Sequence, residues 1–560
     1  MTDIKGQELF AIPLGGSDEI GLNMMVYECG GDMIIVDCGL TFADDFSPGV
    51  DVIIPDITYV RDNIHKLKGI FITHAHEDHI GAIPYLWEEL KAPIYTTAFT
   101  AQMIAGKMER FGLSPNEFKL TVAKPGTRHT AGCFDVEFVG VTHSVPDSAT
   151  LVIRTPHGIV FNTGDYKLDE EPVVGAVSNL QRMKEVGDEG VLAFFGDSTE
   201  VFRKGRKTTE TDLAKSLDSI IAGQKNAIFV SPIGSNFERM LSISEIAVRH
   251  GRKVCFFGRT LQNVVQYARN CGMLPEHLLK HFVDSSEVRN IPREKILIFV
   301  TGAQGQYNAM LARLADGQEF RGVQIHSGDT VIFSARKIPG CERDIAYLEN
   351  KLAHLGARVI DRDTALVHIG GHAQRDEAID LYKLLKPKYA VPSYGSFWHM
   401  KEHERMIKEE KLPIDVRVIT NGEKLKLAPG TPEVVGMVPC GRHYVDGLNI
   451  LDEDRFVLKE RRQLSFEGVA TVTAVIDMQS KALIGRPTVQ TRGLIDEKLQ
   501  PDVIKACENE ALRGLRSNFG DDVRIDDTLR AEEIMRSAVR RAMKRERGRK
   551  PMTLSQLIEI

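Results

Sequence analysis

Short apolar runs bounded by glycine, proline and aspartate recur through the first part of the chain. Met33–Asp37, Ile70–Thr73, Val136–Val141, Leu151–Arg154, Ile159–Asn162 and Val191–Phe195 each read as a strand. A continuous apolar run of this length between turn residues fits a strand buried on both faces. Helical periodicity falls between some of them, as over Tyr85–Lys91, where Pro84 suits a first turn. From about Thr208 the pattern becomes regular strand–helix alternation. Ala227–Ser231 precedes a helix near Arg239–Arg249, Lys253–Gly258 one near Asn263–Arg269, and Ile296–Thr301 one near Asn308–Ala315, with Val331–Ser334 a further strand. That alternation predicts a separate, mostly parallel α/β domain. Ala428-Pro429-Gly430-Thr431-Pro432 reads as a linker. Beyond it come a strand near Gly468–Met478, a helix near Pro501–Glu508 and a basic helix near Leu529–Arg547. Leu554–Ile560 alternates as a strand, either within its own small sheet or packed against a second copy.

Composition narrows the class. At 560 residues the chain predicts two to four domains, and 42% hydrophobic with 26% charged residues is ordinary for a soluble globular protein. The opening Met-Thr-Asp-Ile-Lys-Gly-Gln-Glu lacks a signal-peptide run, and no stretch approaches a membrane span, so a cytoplasmic protein is expected. Its eight cysteines form no C-x-x-C pair and read as small core residues in a reducing compartment. The net charge of −6 gives no whole-molecule argument for nucleic acid. Two local basic runs, Arg203–Lys207 and Arg540–Lys550, read equally well as binding patches or as solvated faces.

Candidate chemistry concentrates in one segment. From Thr73 to Gly81 the chain reads T-H-A-H-E-D-H-I-G, which sets His74, His76, Asp78 and His79 at the end of a predicted buried strand. Imidazoles and a carboxylate at this density call for a metal, and in extended backbone His74 and His76 point the same way. His143 and Asp165 each follow a predicted strand as well. Metals gather ligands from loops at one edge of a sheet, so these two join the candidate set.

The order H-x-H-x-D-H, then His143, then Asp165, with Asp37 in Ile-Val-Asp-Cys-Gly, resembles the metallo-β-lactamase fold. The α/β block between Gly196-Asp197-Ser198-Thr199-Glu200 and Gly370-Gly371-His372-Ala373 resembles the β-CASP nuclease branch. Within that branch the chain resembles the ribonuclease J family through Ser235-Asn236, Gly258-Arg259-Thr260, Thr301–Gln306, Ile338-Pro339-Gly340, His368 and Gly548–Pro551. The resemblance implies an αββα sandwich split over residues 1–205 and 361–430, an inserted β-CASP α/β domain at 206–360, a linker at 431–450, and a small C-terminal α+β domain at 451–560.

It also implies roles. One Zn²⁺ would be held by His74, His76, His143 and Asp165, a second by Asp78, His79 and the shared Asp165, with Mn²⁺ or Mg²⁺ as alternatives. Asp37 and Asp197 would orient imidazoles, and His372 would approach the scissile phosphate. Ser235, Arg259, Gly302, Gln304 and His368 would form a 5′-monophosphate pocket. Ala303 and Gln306 depart there from the family's S-Q-G-E wording. The implied activity is hydrolysis of single-stranded RNA, 5′→3′ from monophosphorylated ends with some endonucleolytic cutting. The implied partners are RNA-decay proteins, with homodimer or homotetramer assembly.

One position departs. The family completes the second metal site with a histidine in P-x-H-G-E, where this chain has Pro392-Ser393-Tyr394-Gly395-Ser396. A neutral phenol is a poor ligand, and its pKa of ~10 must fall before it ionises near pH 7. Three readings stay open: a weakly held second metal with water in the vacant place, ligation by Tyr394 as phenolate or by His399, or a variant of impaired activity. The other ligands being present favours a weakened but usable site. The competing functions are an RNA-binding or scaffold protein with lost turnover and a DNA nuclease of the same superfamily. Small-molecule hydrolases of the superfamily lack the inserted block.

Overall fold

The computed structural model describes residues 8–560 apart from 44–46, 339, 448, 453–455 and 497. Pro339 of the Ile338-Pro339-Gly340 motif, the first seven residues, and parts of the expected linker and C-terminal domain therefore lie outside the described residues. The chain divides into two compact units. The first runs to Thr41 and over Ile53–Arg442, and the second comprises Phe42–Val52 and His443–Ile560.

In the first unit an eight-stranded sheet has Leu9–Gly15, Met24–Cys29, Asp32–Val36 and Leu67–Phe71 at its centre. A seven-stranded sheet runs from Arg128–Ala131 through Phe134–Gly140, Ala149–Thr155, Gly158–Asn162, Val191–Asp197 and Tyr389–Ser393 to Asp415–Val416. Tyr27, Ile34 and Phe71 of the first sheet share one apolar core with Phe138, Val160 and Phe195 of the second. The opposite face of the second sheet buries Phe161 and Phe194 against Met183, Leu381, Tyr382 and Met406, all from helices. A sheet apolar on both faces must be covered on both, which explains the unbroken apolar strands in the sequence. These layers are those of the expected αββα sandwich.

The inserted block is a five-stranded sheet in the order Lys253–Phe257, Ile296–Val300, Ile228–Pro232, Thr330–Ser334, Arg358–Ile360. Every neighbouring pair is parallel. Two of its helices begin earlier than periodicity alone predicts, at Phe237 and Arg259, whereas Met310–Ala315 begins two residues later. The helix expected near Asn263 starts at Arg259, because Gly258, at φ 121°, turns the chain directly out of the strand.

The expected linker is structured. Glu423–Ala428 and Glu433–Met437 pair antiparallel, so Ala428–Pro432 is a hairpin connection with a cis Ala428–Pro429 bond. Proline and glycine mark a turn as readily as a domain boundary, and the flanking apolar Leu425 and Leu427 are fully buried. The second unit accordingly resumes at His443, within the span read as linker.

In that second unit Val469–Ile476 lies between Leu483–Arg492, antiparallel, and Met552–Glu559, parallel. The helices Pro501–Phe519 and Thr528–Arg547 bury Cys507, Leu515, Met535 and Val539 in its core. The terminal strand is thus paired within its own small sheet. Basic side chains of the second helix from Arg540 onward are exposed, as a solvated face requires.

Candidate metal centre and its neighbouring cavity

The candidate ligands occupy loops at the C-terminal ends of strands. Val36 and Phe71 are register partners in parallel strands, so Asp37 and Thr73–His79 emerge at one edge. Gly158–Asn162, Val191–Asp197 and Tyr389–Ser393 are also mutually parallel, which brings Asp165, Asp197 and Tyr394 to one edge of the other sheet. Such an edge is where α/β sheets bind ligands.

Asp78 and His79 sit on a short helix of their own, Glu77–Ile80, ahead of the helix expected near Pro84, which spans Ile83–Leu90. The close approach of this turn explains Gly39, since a Cβ there would lie 1.6 Å from the Asp78 carbonyl oxygen.

His74 Nε2 and His143 Nε2 each lie 3.1 Å from His76 Nδ1, and Asp165 Oδ2 lies 3.6 and 3.8 Å from the same two Nε2 atoms. A tetrahedral ion with bonds of 2.0–2.1 Å has edges of about 3.3 Å between ligand atoms, so this nest has the size of one cation. Asp165 Oδ2 is also 3.4 Å from His79 Nε2, and Asp78 Oδ2 is 3.8 Å from that nitrogen. Two adjoining groups result, His74–His76–His143–Asp165 and Asp78–His79–Asp165, with Asp165 common to both. The residues fit a pair of divalent cations.

Electrostatics agrees with the geometry. Burial, then the neighbouring imidazoles, holds His74 and His143 well below the usual imidazole range, so their lone pairs are free of protons. His76 is lowered to about 4, chiefly by burial. Burial opposes charge on His79 too, but Asp165, Asp37 and Asp78 outweigh it and raise that imidazole. The carboxylates there call for positive charge.

Supporting contacts fix the rings. Asp37 Oδ2 lies 2.8 Å from His79 Nδ1, while its Oδ1 accepts from the Thr73 amide at 2.8 Å. His143 Nδ1 donates to the Gly371 carbonyl at 2.7 Å, and a Cβ on Gly371 would lie 2.5 Å from that ring. Asp197 Oδ2 sits 2.8 Å from His372 Nδ1. Against the effect of burial, Asp197 and Asp165 push His372 up to about 9.

The Tyr394 hydroxyl donates to Asn162 Oδ1 at 2.7 Å, and its ring lies over His79 with centroids 5.8 Å apart. Burial, then the Asp37 charge, raises the phenol well above its ordinary range, which works against the phenolate reading. His399 is turned away: its Nδ1 lies 2.6 Å from Ser396 Oγ and its ring packs on Phe202. It joins no ligand group among the described residues. Asn23, which the sequence did not single out, stands at the second group. Its Nδ2 lies 2.9 Å from His79 Nε2 and 3.3 Å from Asp78 Oδ2, and its Oδ1 is buried without a partner. It carries no spacing signal, because it reaches the site from the start of another strand.

The expected phosphate residues line up along the C-terminal edge of the inserted sheet. Ser235, Arg259 and Gly302 with Gln304 follow three adjacent strands, Ile228–Pro232, Lys253–Phe257 and Ile296–Val300. Arg259 is exposed in the first turn of its helix. Gln304 is committed elsewhere: its Nε2 donates to the Arg336 carbonyl at 2.7 Å and its Oε1 accepts from the Ile338 amide at 2.9 Å. His368, 8% exposed and with Nδ1 unpartnered, opens onto a cavity of about 190 Å³ lined also by Arg203, Lys207, Arg336 and Arg362. Arg203 and Lys207 therefore belong to a basic cavity. Arg336 and Arg362 were invisible in the sequence, since each follows a strand with at most one further cation beside it and forms no basic run. Ser235, Arg259 and Gly302 do not line this cavity.

The family descriptions that match are Metallo-beta-lactamase superfamily over residues 19–214 and Ribonuclease J, beta-CASP domain over residues 225–352. Fold and site thus define a metal-dependent nuclease of the metallo-β-lactamase superfamily, in its β-CASP branch. A third description, Ribonuclease J C-terminal domain, matches residues 456–560. The Ribonuclease J of Sinorhizobium meliloti is 38% identical over 98% of this chain and 96% of its own, and that of Thermus thermophilus 34% identical over 98% and 95%. The chain belongs to the ribonuclease J family, whose activity is metal-dependent hydrolysis of RNA. A solved protein of unknown function from Enterococcus faecalis V583 shares the fold, with a TM-score of 0.51 at 16% identity over 75% of this chain and all of that one.

Among the described residues no helix is long and apolar enough to cross a membrane.

Proposed function

We propose that this protein degrades single-stranded RNA from the 5′ end, preferring a 5′-monophosphate, with some internal cutting. The observation that carries the reading is the junction of two unlike features. A pair of carboxylate-bridged cation sites lies at the sandwich edge, and a cavity rich in arginine opens beside His368. His74, His76, His143 and Asp165 would hold one divalent cation and Asp78, His79 and Asp165 a second, which would activate water and offset phosphodiester charge during hydrolysis. That is the chemistry the metals supply when bound.

The protein's own groups do the rest. Asp37 and the Gly371 carbonyl hold the His79 and His143 rings so that Nε2 faces the cations. His372, kept protonated by Asp197, offers a proton to the leaving oxygen. Arg259, with the Gly302 and Ser235 turns beside it at the edge of the inserted sheet, receives a terminal phosphate whose charge a hydroxyl end lacks, and the guanidinium groups of the cavity hold other phosphates of the strand. Nitrogen-rich ligands at the first site favour Zn²⁺ there, and the oxygen-richer second site suits Mn²⁺ or Mg²⁺.

In this reading residues 1–41 with 53–205 and 361–442 serve as the sandwich, 206–360 as the inserted domain, and 443–560 with 42–52 as the C-terminal domain. By likeness to the family, this reading includes a cytoplasmic location, homodimer or homotetramer assembly and RNA-decay partners.

The test is decay of end-labelled RNA bearing 5′-monophosphate, triphosphate or hydroxyl, with single-stranded DNA in parallel. Mononucleotides released in 5′→3′ order, fastest from the monophosphate, support the proposal. Equal rates from all ends, or faster cutting of DNA, overturn it.

A further inference from the structure

The chain has two tryptophans in contrasting settings: Trp87 is 3% exposed and Trp398 is 70% exposed. Trp398 lies in the first turn of the helix Phe397–Glu409, and Phe397 beside it is 48% exposed. The Trp398 ring rests against Phe202 with centroids 4.2 Å apart, and Phe202 meets His399 at 5.4 Å. A large ring left this open contributes little to folding, yet it is held in place from one side.

Its surroundings identify an occupant. Trp398 follows Tyr394, whose ring packs on His79 of the second metal group, by four residues, which keeps the two Cα atoms within about 15 Å. Phe202 immediately precedes Arg203 of the basic cavity, and the turn it belongs to follows the strand that ends at Asp197, the partner of His372. Arg336 of that cavity pairs with Glu200 at 3.3 Å in the same turn. The aromatic pair thus adjoins both places that the proposed function assigns to phosphate. What lies between phosphates in a single strand is a base, and every base offers a π-face to stack on.

We propose that Trp398, backed by Phe202, is a stacking platform for a nucleobase of the bound strand. The platform rests on the single-stranded RNA reading above. It adds sequence-tolerant affinity, since stacking makes no demand on hydrogen-bonding edges. It also anchors the strand by a contact that double-stranded nucleic acid, with its bases already stacked, does not offer.

Trp87 is buried, so a ligand-dependent change in tryptophan emission reports Trp398. The metal-loaded protein is titrated with a short hydrolysis-resistant 2′-O-methyl oligonucleotide and with an abasic strand of equal length. Quenching by the first and none by the second is expected. Trp398→Ala should weaken binding of the first about five- to a hundred-fold, and Trp398→Phe should restore most of it. Binding of the oligonucleotide with unchanged emission, or undiminished affinity in Trp398→Ala, overturns the platform while leaving the nuclease reading intact. Absence of both RNA binding and RNA cleavage in the unaltered protein overturns the two together.

Discussion

Asp197 and His372 come from segments 175 residues apart, and their side chains meet at 2.8 Å beside the shared ligand Asp165. The carboxylate is buried, and contact with His372 and the Thr199 amide lowers its pKa in spite of that burial. Asp197 therefore fixes both the ring orientation and the charge of His372.

Asp197→Asn keeps the size of the side chain but removes the charge. RNA hydrolysis is expected to fall about 10–100-fold, with the metal content of the His74–His76–His143 group retained. Initial rates on labelled RNA and elemental analysis of the same preparations check both halves.

Tyr394→His should raise occupancy of the second cation site. Tyr394 adopts φ 55°, a left-handed conformation that histidine tolerates comparatively well, so the exchange adds little backbone strain. Asn23→Ala should have the opposite effect, weakening the second metal about 10–100-fold through loss of the contacts to His79 and Asp78. Metal titration followed by elemental analysis measures each. Equal metal content in all three proteins would count against both assignments.

Arg259→Ala and Arg336→Ala separate the two candidate phosphate contacts. Arg259 stands exposed at the sheet edge, whereas Arg336 lines the cavity with His368. Loss of the preference for monophosphate over hydroxyl ends is expected in Arg259→Ala, with metals still bound. A decline on every substrate is expected in Arg336→Ala. Rates on RNAs differing only at the 5′ end decide between them.

Glu238 is a buried carboxyl facing Lys167, Glu210, Arg239 and Asp169, and it borders a cavity of about 820 Å³ that none of the candidate metal ligands lines. Burial, the largest influence, raises it from 4.5 to about 8. A raised carboxyl binds its proton more tightly in the folded state. Its contribution is complete below pH 4.5 and is lost as pH rises through 8. Glu238→Gln should therefore gain on the unaltered protein between these limits, reaching a few kcal/mol at the alkaline end, because each tenfold change in proton affinity is worth about 1.4 kcal/mol. Denaturant midpoints from pH 5 to 9 test the trend, and a constant difference would refute it.

The sequence alone determined the strands, the sandwich and its inserted parallel domain, and the candidate metal group of His74, His76, Asp78 and His79. Buried strands must be apolar and ligands must be dense, so both leave local signatures. His143 and Asp165 were legible more weakly, from their place after predicted strands, and gained weight from their order and the family they resemble. Local pattern misread Ala428–Pro432, because whether a proline-rich turn separates domains or joins paired strands depends on a partner elsewhere in the chain. Tertiary structure alone decided that Tyr394 bonds Asn162, that Gln304 braces the loop after Ser334, and that Asn23, Arg336 and Arg362 stand at the two sites. Each of these is a single polar residue whose meaning lies in what faces it across the sheet edge. No spacing along the chain encodes that.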